Sequence, residues 1–178
     1  MSEEQTLSPS RFPVSVIMQR QQVQHGPWSA PRWEVLGIVA GGHVGDGQKQ
    51  RTLIRSEAGV EQYLWSGLTV ILHKDDVESY RYNLVATTPS LFIICRPEPE
   101  SDLSPFLVTA DFEAAGFSME RDGTVFSAPM PPEIYRWLEQ FVVENYVPPE
   151  PPKRKQEKRE EQEAYGRQRP PGTERRPR

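Results

Sequence analysis

Between Phe12 and Met18 the apolar side chains fall on alternate residues, with Phe12, Val14, Val16 and Met18 on one side and Pro13, Ser15 and Ile17 on the other. That period of two predicts a strand with one buried face. His25-Gly26-Pro27 interrupts the pattern, since Pro lacks a backbone donor and Gly reaches turn dihedrals, and Trp33 to Val39 resumes as a second strand. Arg51 to Arg55 and Val60 to Trp65 flank Ser56-Glu57-Ala58-Gly59 as an antiparallel hairpin. Ser66-Gly67 reads as a break before another strand, Leu68 to His73, and Lys74-Asp75-Asp76 as a turn in which an Asp side chain bonds nearby amides. One helical turn is expected over Asp76 to Tyr80 and extended chain over Arg81 to Ala86. Leu91 to Arg96 is the most apolar strand and should be central. After Arg96-Pro97-Glu98-Pro99, Phe106 to Ala110 reads as a last long strand, and Asp111 as the cap of a short helix over Phe112 to Met119.

The period then changes to that of a helix. Ile134, Trp137, Leu138, Phe141 and Val142 recur at i, i+3, i+4, i+7 and i+8, while Glu133, Arg136, Glu139, Gln140 and Glu144 fall opposite, predicting an amphipathic helix over Glu133 to Tyr146. Pro132 suits its first position and Pro148-Pro149 ends it. About seven strands before a closing helix give an antiparallel α+β fold, a rolled sheet or partial barrel capped by the C-terminal amphipathic helix, somewhat like a pleckstrin-homology architecture. No βαβ alternation of a nucleotide-binding parallel sheet is present.

Composition adds the domain count and an asymmetry. A chain of 178 residues, 36% of them apolar, supports one core. The expected organisation is a flexible N-terminus over residues 1–10, one domain over 11–147 and a disordered Pro-rich and basic tail over 148–178. Of 21 basic and 25 acidic side chains, ten and five lie in residues 153–178, so an acidic body of −9 precedes a tail of +5. Pro148 to Pro152 favours polyproline geometry, and the residues beyond it hold too few apolar groups to offset their ordering entropy. The acidic N-terminus does not read as a secretory signal and no apolar run approaches a membrane span, which by elimination suggests the cytoplasm and no membrane contact. One cysteine and three histidines argue against a disulfide framework, a protein-ligated metal or another cofactor.

Candidate chemistry is sparse. Trp28 and Trp33 bracket Pro31-Arg32, so the Arg32 guanidinium is placed to stack on an indole and recognise a partner, the alternative being two tryptophans that anchor the turn to the core. Arg167, Arg169, Arg175 and Arg176 make the end of the tail a second candidate surface for a protein partner. RNA is the lesser option there, because Tyr165 is its single base-stacking aromatic. The segment Gly41 to Gly47 has four glycines, but it lacks the Lys-Ser/Thr pair that a phosphate-cradling loop places after its last Gly. His73 near Asp75 and Asp76 has no nucleophile tied to it by spacing, and Cys95, inside Leu91-Phe92-Ile93-Ile94, reads as a small buried hydrophobe. No catalytic residue is nominated.

Two resemblances go further. Val39-Ala40-Gly41-Gly42 followed by Lys49 resembles the N-terminal signature of molybdopterin guanylyltransferases, which implies a guanine-nucleotide site at Gly41, Gly42 and Lys49. The chain departs from it, with Gly45-Asp46-Gly47 where the signature has Arg-Met-Gly. Over most of residues 12–152 the chain resembles an uncharacterised proteobacterial family of domains of unknown function. The likeness is carried by Phe12 to Val16, Pro27-Trp28, Arg32-Trp33, Leu72 to Asp76 with Tyr80 and Asn83-Leu84, Pro89 to Arg96, Val108 to Ala115 and Pro129 to Ile134. Genes of that family lie near those of molybdenum-dependent formate dehydrogenase. This resemblance implies a non-catalytic accessory protein that assists maturation or assembly of a molybdenum and iron–sulfur enzyme, with a redox-enzyme subunit or maturation factor as its protein partner.

Overall fold

The structure is a computed structural model that describes residues 10–42, 48–121 and 123–149. The chain divides into two units, Met1–Tyr146 and Val147–Arg178, and residues 147–149 of the second are described.

The alternation that begins at Phe12 forms β1, Arg11–His25, about twice the length marked by its apolar residues. Polar Gln19 to Gln24 stay in the strand because a partner holds them. Gly26-Pro27 reverses the chain, and β2, Trp28–Ala40, pairs back along β1 from His25↔Trp28 to Val14↔Ala40. Gly26 at φ 59° followed by a proline has the dihedral signs of a type II′ turn. The pair that closes a two-residue hairpin is hydrogen-bonded, and alternation then turns the Pro31 nitrogen, opposite Gln22, away from β1. Pro31 therefore costs the ladder nothing and removes a donor from the free edge of β2.

β3, Gln50–Glu57, and β4, Val60–Ile71, meet at Ala58-Gly59, both residues in the left-handed region (φ 51° and 80°) that a type I′ turn requires. These four strands form an antiparallel sheet in the order β2-β1-β4-β3. The expected break at Ser66-Gly67 does not occur. β4 continues through it as a bulge, setting two residues against Ser15 alone, with Gly67 at φ 78° and its Cα so near the Gln48 carbonyl that a Cβ would collide.

A second sheet has the order β6-β5-β7, from β5, Ser90–Glu98, β6, Asp102–Thr109, and β7, Thr124–Pro129. β5 is central, as its apolar run predicts. A shorter strand that the alternation does not announce, β7, follows β6 and also pairs along β5, from Cys95↔Thr124 to Ser90↔Pro129. The two sheets approach where β2 meets β7 and where β4 meets β6 without joining their ladders, so the described residues form no closed barrel.

The helices are α1, Val77–Leu84, α2, Phe112–Glu120, and α3, Pro132–Asn145. The expectation of extended chain from Arg81 is corrected, since α1 runs on to Leu84. Tyr80 and Asn83 are buried one turn apart, and the Asn83 amide donates to the carbonyls of Ser90 and Ala110 (both 2.7 Å) while its Oδ1 accepts from the Ser90 N–H (3.0 Å). The 3-10 turn Lys74–Asp76 that precedes α1 closes by the Asp76 N–H donating to the His73 carbonyl (3.2 Å), with no capping bond from an Asp side chain to an amide. Asp111 caps α2 as its position predicts, accepting from the N–H groups of Glu113 (2.9 Å) and Ala114 (3.2 Å).

One core joins these layers. Phe12, Val14, Val16 and Met18 of β1 share it with Leu91, Ile93 and Cys95 of β5 and with Ile134, Leu138 and Phe141 of α3, and Trp137 packs edge-on to Phe12 at 5.2 Å. Three further bulges each leave one extra residue unpaired, Leu36 on β2, Ile54 on β3 and Phe106 on β6. All three are large and apolar yet 46%, 49% and 52% exposed, so bulges explain these departures from the inside-out rule. Leu138→Ala should lower the urea-measured unfolding free energy by about 2–5 kcal/mol. Gly67→Ala should cost at least about 1–2 kcal/mol from its left-handed backbone, whereas exposed Glu139→Ala should stay within about 0.5 kcal/mol of the parent.

Candidate functional site

The apolar face of β1 ends at Met18, and beyond it most side chains of the β1–β2 hairpin are exposed. Where the hairpin passes the first residues of β6 and β7, an open cleft of about 540 Å³ forms. Val23, His25, Ala30, Pro31, Arg32 and Trp33 line one side, and Asp102, Leu103, Thr124 and Phe126 the other. Arg32 and Trp33 are consecutive and face opposite sides of β2, but both reach the cleft because it wraps around a free sheet edge.

The Trp33 ring packs on the core and lies 6.0 Å from that of Tyr63, tilted by 39°. Its indole N–H is buried without an acceptor among the described residues, as are those of Trp65 and Trp137. Asp102 opens β6 at φ 60°, a left-handed conformation that Asp tolerates better than most residues. Its Oδ2 accepts from Arg20 Nε (2.9 Å) and lies 2.8 Å from Nη2 in an ion pair, and Arg20 Nη1 also donates to Glu61 (3.3 Å). Burial by itself lowers the Arg20 pKa, but the hydrogen bonds and charges of Asp102 and Glu61 outweigh it and raise the value above the ordinary one. The partners are partly solvated, so each pair contributes about 1 kcal/mol at most. Arg32 is exposed and makes no ion pair among the described residues.

Arg32 stacks on neither indole, which corrects the expected arrangement. Strand alternation sends it to the side opposite Trp33, and Trp28 stands five residues from Trp33 at the hairpin tip, 76% exposed and outside the cleft lining. The anchoring alternative holds for Trp33 alone. Gly41 prolongs β2, its N–H donating to the Pro13 carbonyl (2.9 Å), with Gly42 beside it. Lys49 precedes β3 at the other edge of the sheet, three strand spacings or roughly 14 Å away. There its ammonium donates to Ser104 Oγ and the Pro105 carbonyl (3.4 Å), lies 3.7 Å from Glu98 and sits 5.3 Å above the Trp65 ring. Residues 43–47 of the glycine loop, and Arg167, Arg169, Arg175 and Arg176, lie outside the described residues.

His73 is exposed, and its backbone N–H donates to the Tyr80 hydroxyl (3.1 Å). Cys95 is fully buried, and desolvation pushes its thiol up to about 12 although the charge of Lys49 opposes the shift. Among the described residues, no group of three or more His, Cys, Asp and Glu side chains is placed to hold a metal ion. Asp102, Thr124 and Phe126 had no signal in the sequence, since Asp102 follows a Pro-rich turn and the other two sit on a strand with weak alternation.

Residues 13–156 match the family model of DUF3305, described as a protein of unknown function. The chain belongs to the DUF3305 family. No curated protein and no solved structure matches it. The match extends past α3, so the DUF3305 pattern includes Pro148 to Pro152 and Lys153-Arg154-Lys155. Among the described residues of this DUF3305 chain, no helix is long and apolar enough to cross a membrane.

Burial sets the alkaline behaviour. It raises Cys95 from 9.0, and also Tyr80 from 10.0, to about 12. The folded state keeps both protons where the unfolded state releases them, so their contribution is complete below about pH 9 and is lost as pH rises toward about 12. Urea titrations across that range should show stability falling, with Tyr80→Phe flattening the upper part. Cys95 should ignore a disulfide-exchange dye near neutral pH until denaturant is added.

Proposed function

We propose that this DUF3305 chain is a non-catalytic cytoplasmic accessory protein that holds a protein partner at the hairpin cleft. The observation that carries the reading is the lining of that cleft. Trp33 on one side and Phe126 on the other share the cleft with Arg32, which has no ion pair among the described residues, and aromatic residues and Arg are the types that dominate the energy of protein interfaces. The titratable groups present are His25, Arg32 and Asp102, and Asp102 is already engaged by Arg20, which suits recognition better than proton transfer.

The enzyme served follows from the resemblance in gene setting, a molybdenum and iron–sulfur formate dehydrogenase whose assembly or maturation the protein assists. The partner is then a subunit or maturation factor of that enzyme. Arg32 is the residue to change, because it is exposed and holds no neighbour in place. Tagged full-length protein captured from its native host should retain a dehydrogenase subunit or maturation factor, identified by mass spectrometry. The Arg32→Glu protein should retain about tenfold less or lower still. Reproducible recovery of unrelated proteins alone would overturn the assignment to a redox enzyme.

A further inference from the structure

We infer that the hairpin cleft takes an extended segment of the partner in which a side-chain carboxylate stands beside a bulky apolar residue. This rests on the reading of the cleft as a protein-binding site and names what enters it.

Charge selects the first group. Two formal charges line the cleft, and one of them, Asp102, is met by two nitrogens of Arg20. The other, Arg32, has no counter-ion among the described residues, so an incoming anion completes the site. A guanidinium offers a planar fork that a carboxylate fits with two hydrogen bonds. A phosphate group fits less well, because its second negative charge asks for a second cation and the lining holds no Arg or Lys besides Arg32.

Shape selects the second. Val23, Leu103, Phe126 and the Trp33 ring present an apolar surface next to Arg32, and the volume of about 540 Å³ is of the order that holds a few side chains of a peptide. Because one cleft of this size holds both Arg32 and the apolar surface, the two ligand groups must also lie close together.

The groove between two edge strands suits an extended segment held by its side chains. The cleft runs between β2 and β7, two edge strands that approach without pairing. A strand laid along β2 meets Pro31, which supplies no N–H, so continuous main-chain pairing is broken there and recognition falls to side chains.

The test uses amidated, fluorescein-labelled dodecapeptide libraries and the full-length chain, read by fluorescence anisotropy. One library fixes Asp or Glu next to Leu, Phe or Trp, and the other carries Lys in place of the acid. The acidic library should bind about tenfold tighter or more than the Lys library, and Arg32→Glu should invert that order. Equal binding of the two libraries, binding of neither, or an unchanged order in Arg32→Glu would overturn the inference. The two readings fail separately. If a redox-enzyme subunit is captured while Arg32→Glu alters neither capture nor peptide binding, the cleft assignment falls and the accessory role stands. If acidic peptides bind with the expected inversion but no redox-enzyme component is captured, the accessory role falls and the cleft assignment stands.

Discussion

The inner face of β1 has to be covered, and the arrangement of every other layer follows from how far that face remains apolar. Phe12, Val14, Val16 and Met18 are each nearly inaccessible, and burying side chains of this kind contributes about 1.5–3 kcal/mol apiece. Cover comes from the second sheet and from α3. At Arg20 the pattern turns polar, and an exposed strand pair gains nothing from a second layer. The Arg20–Asp102 pair is the tie between layers at that boundary, and the cleft opens beside it. The candidate site is therefore a by-product of where hydrophobic alternation stops.

Polar groups fix the registration that apolar contact leaves loose. Dispersion and burial are non-directional, so they bring sheets and helices together without choosing one alignment. Asn83 chooses it for α1, because its amide is satisfied only when the starts of β5 and the loop after β6 lie where Ser90 and Ala110 place them. Asp111 extends the same network, capping α2 while accepting from Ser79 Oγ of α1 (2.5 Å). On the far edge Lys49 does comparable work, linking the approach to β3 with β6 through Ser104 and Pro105. These ties join segments distant in sequence, which is why no local window reveals them.

The legible parts of the sequence were those governed by short-range periodicity and by turn chemistry. The β1 alternation, the apolar run that makes β5 central, the Asp111 cap and the spacing of α3 all express local rules, and the structure follows them. The structure departs from the local pattern where a tertiary partner overrides it. Gly67 looks like punctuation, yet β1 pairs with β4 on both sides of it. Arg81 to Leu84 has no apolar stripe of its own, and a buried Asn keeps it helical. Thr124–Pro129 is short and lacks regular alternation, and it becomes a strand because β5 offers an unpaired edge. Of the cleft, Arg32 and Trp33 were visible as an unusual local pair, whereas Asp102, Thr124 and Phe126 arrive by folding.

The two outer strands of the larger sheet also bear on how the protein behaves in a crowded solution. Each exposes a row of backbone groups that another copy is able to extend, the first step toward a cross-β stack. On one side Pro31 withholds a donor near the start of the row. On the other, the bulge at Ile54 kinks the ladder between Arg51 and Arg55, whose charges repel a like strand. Neither edge is a uniform template, so the long hairpin is able to project its recognition surface without seeding fibrils of its own kind.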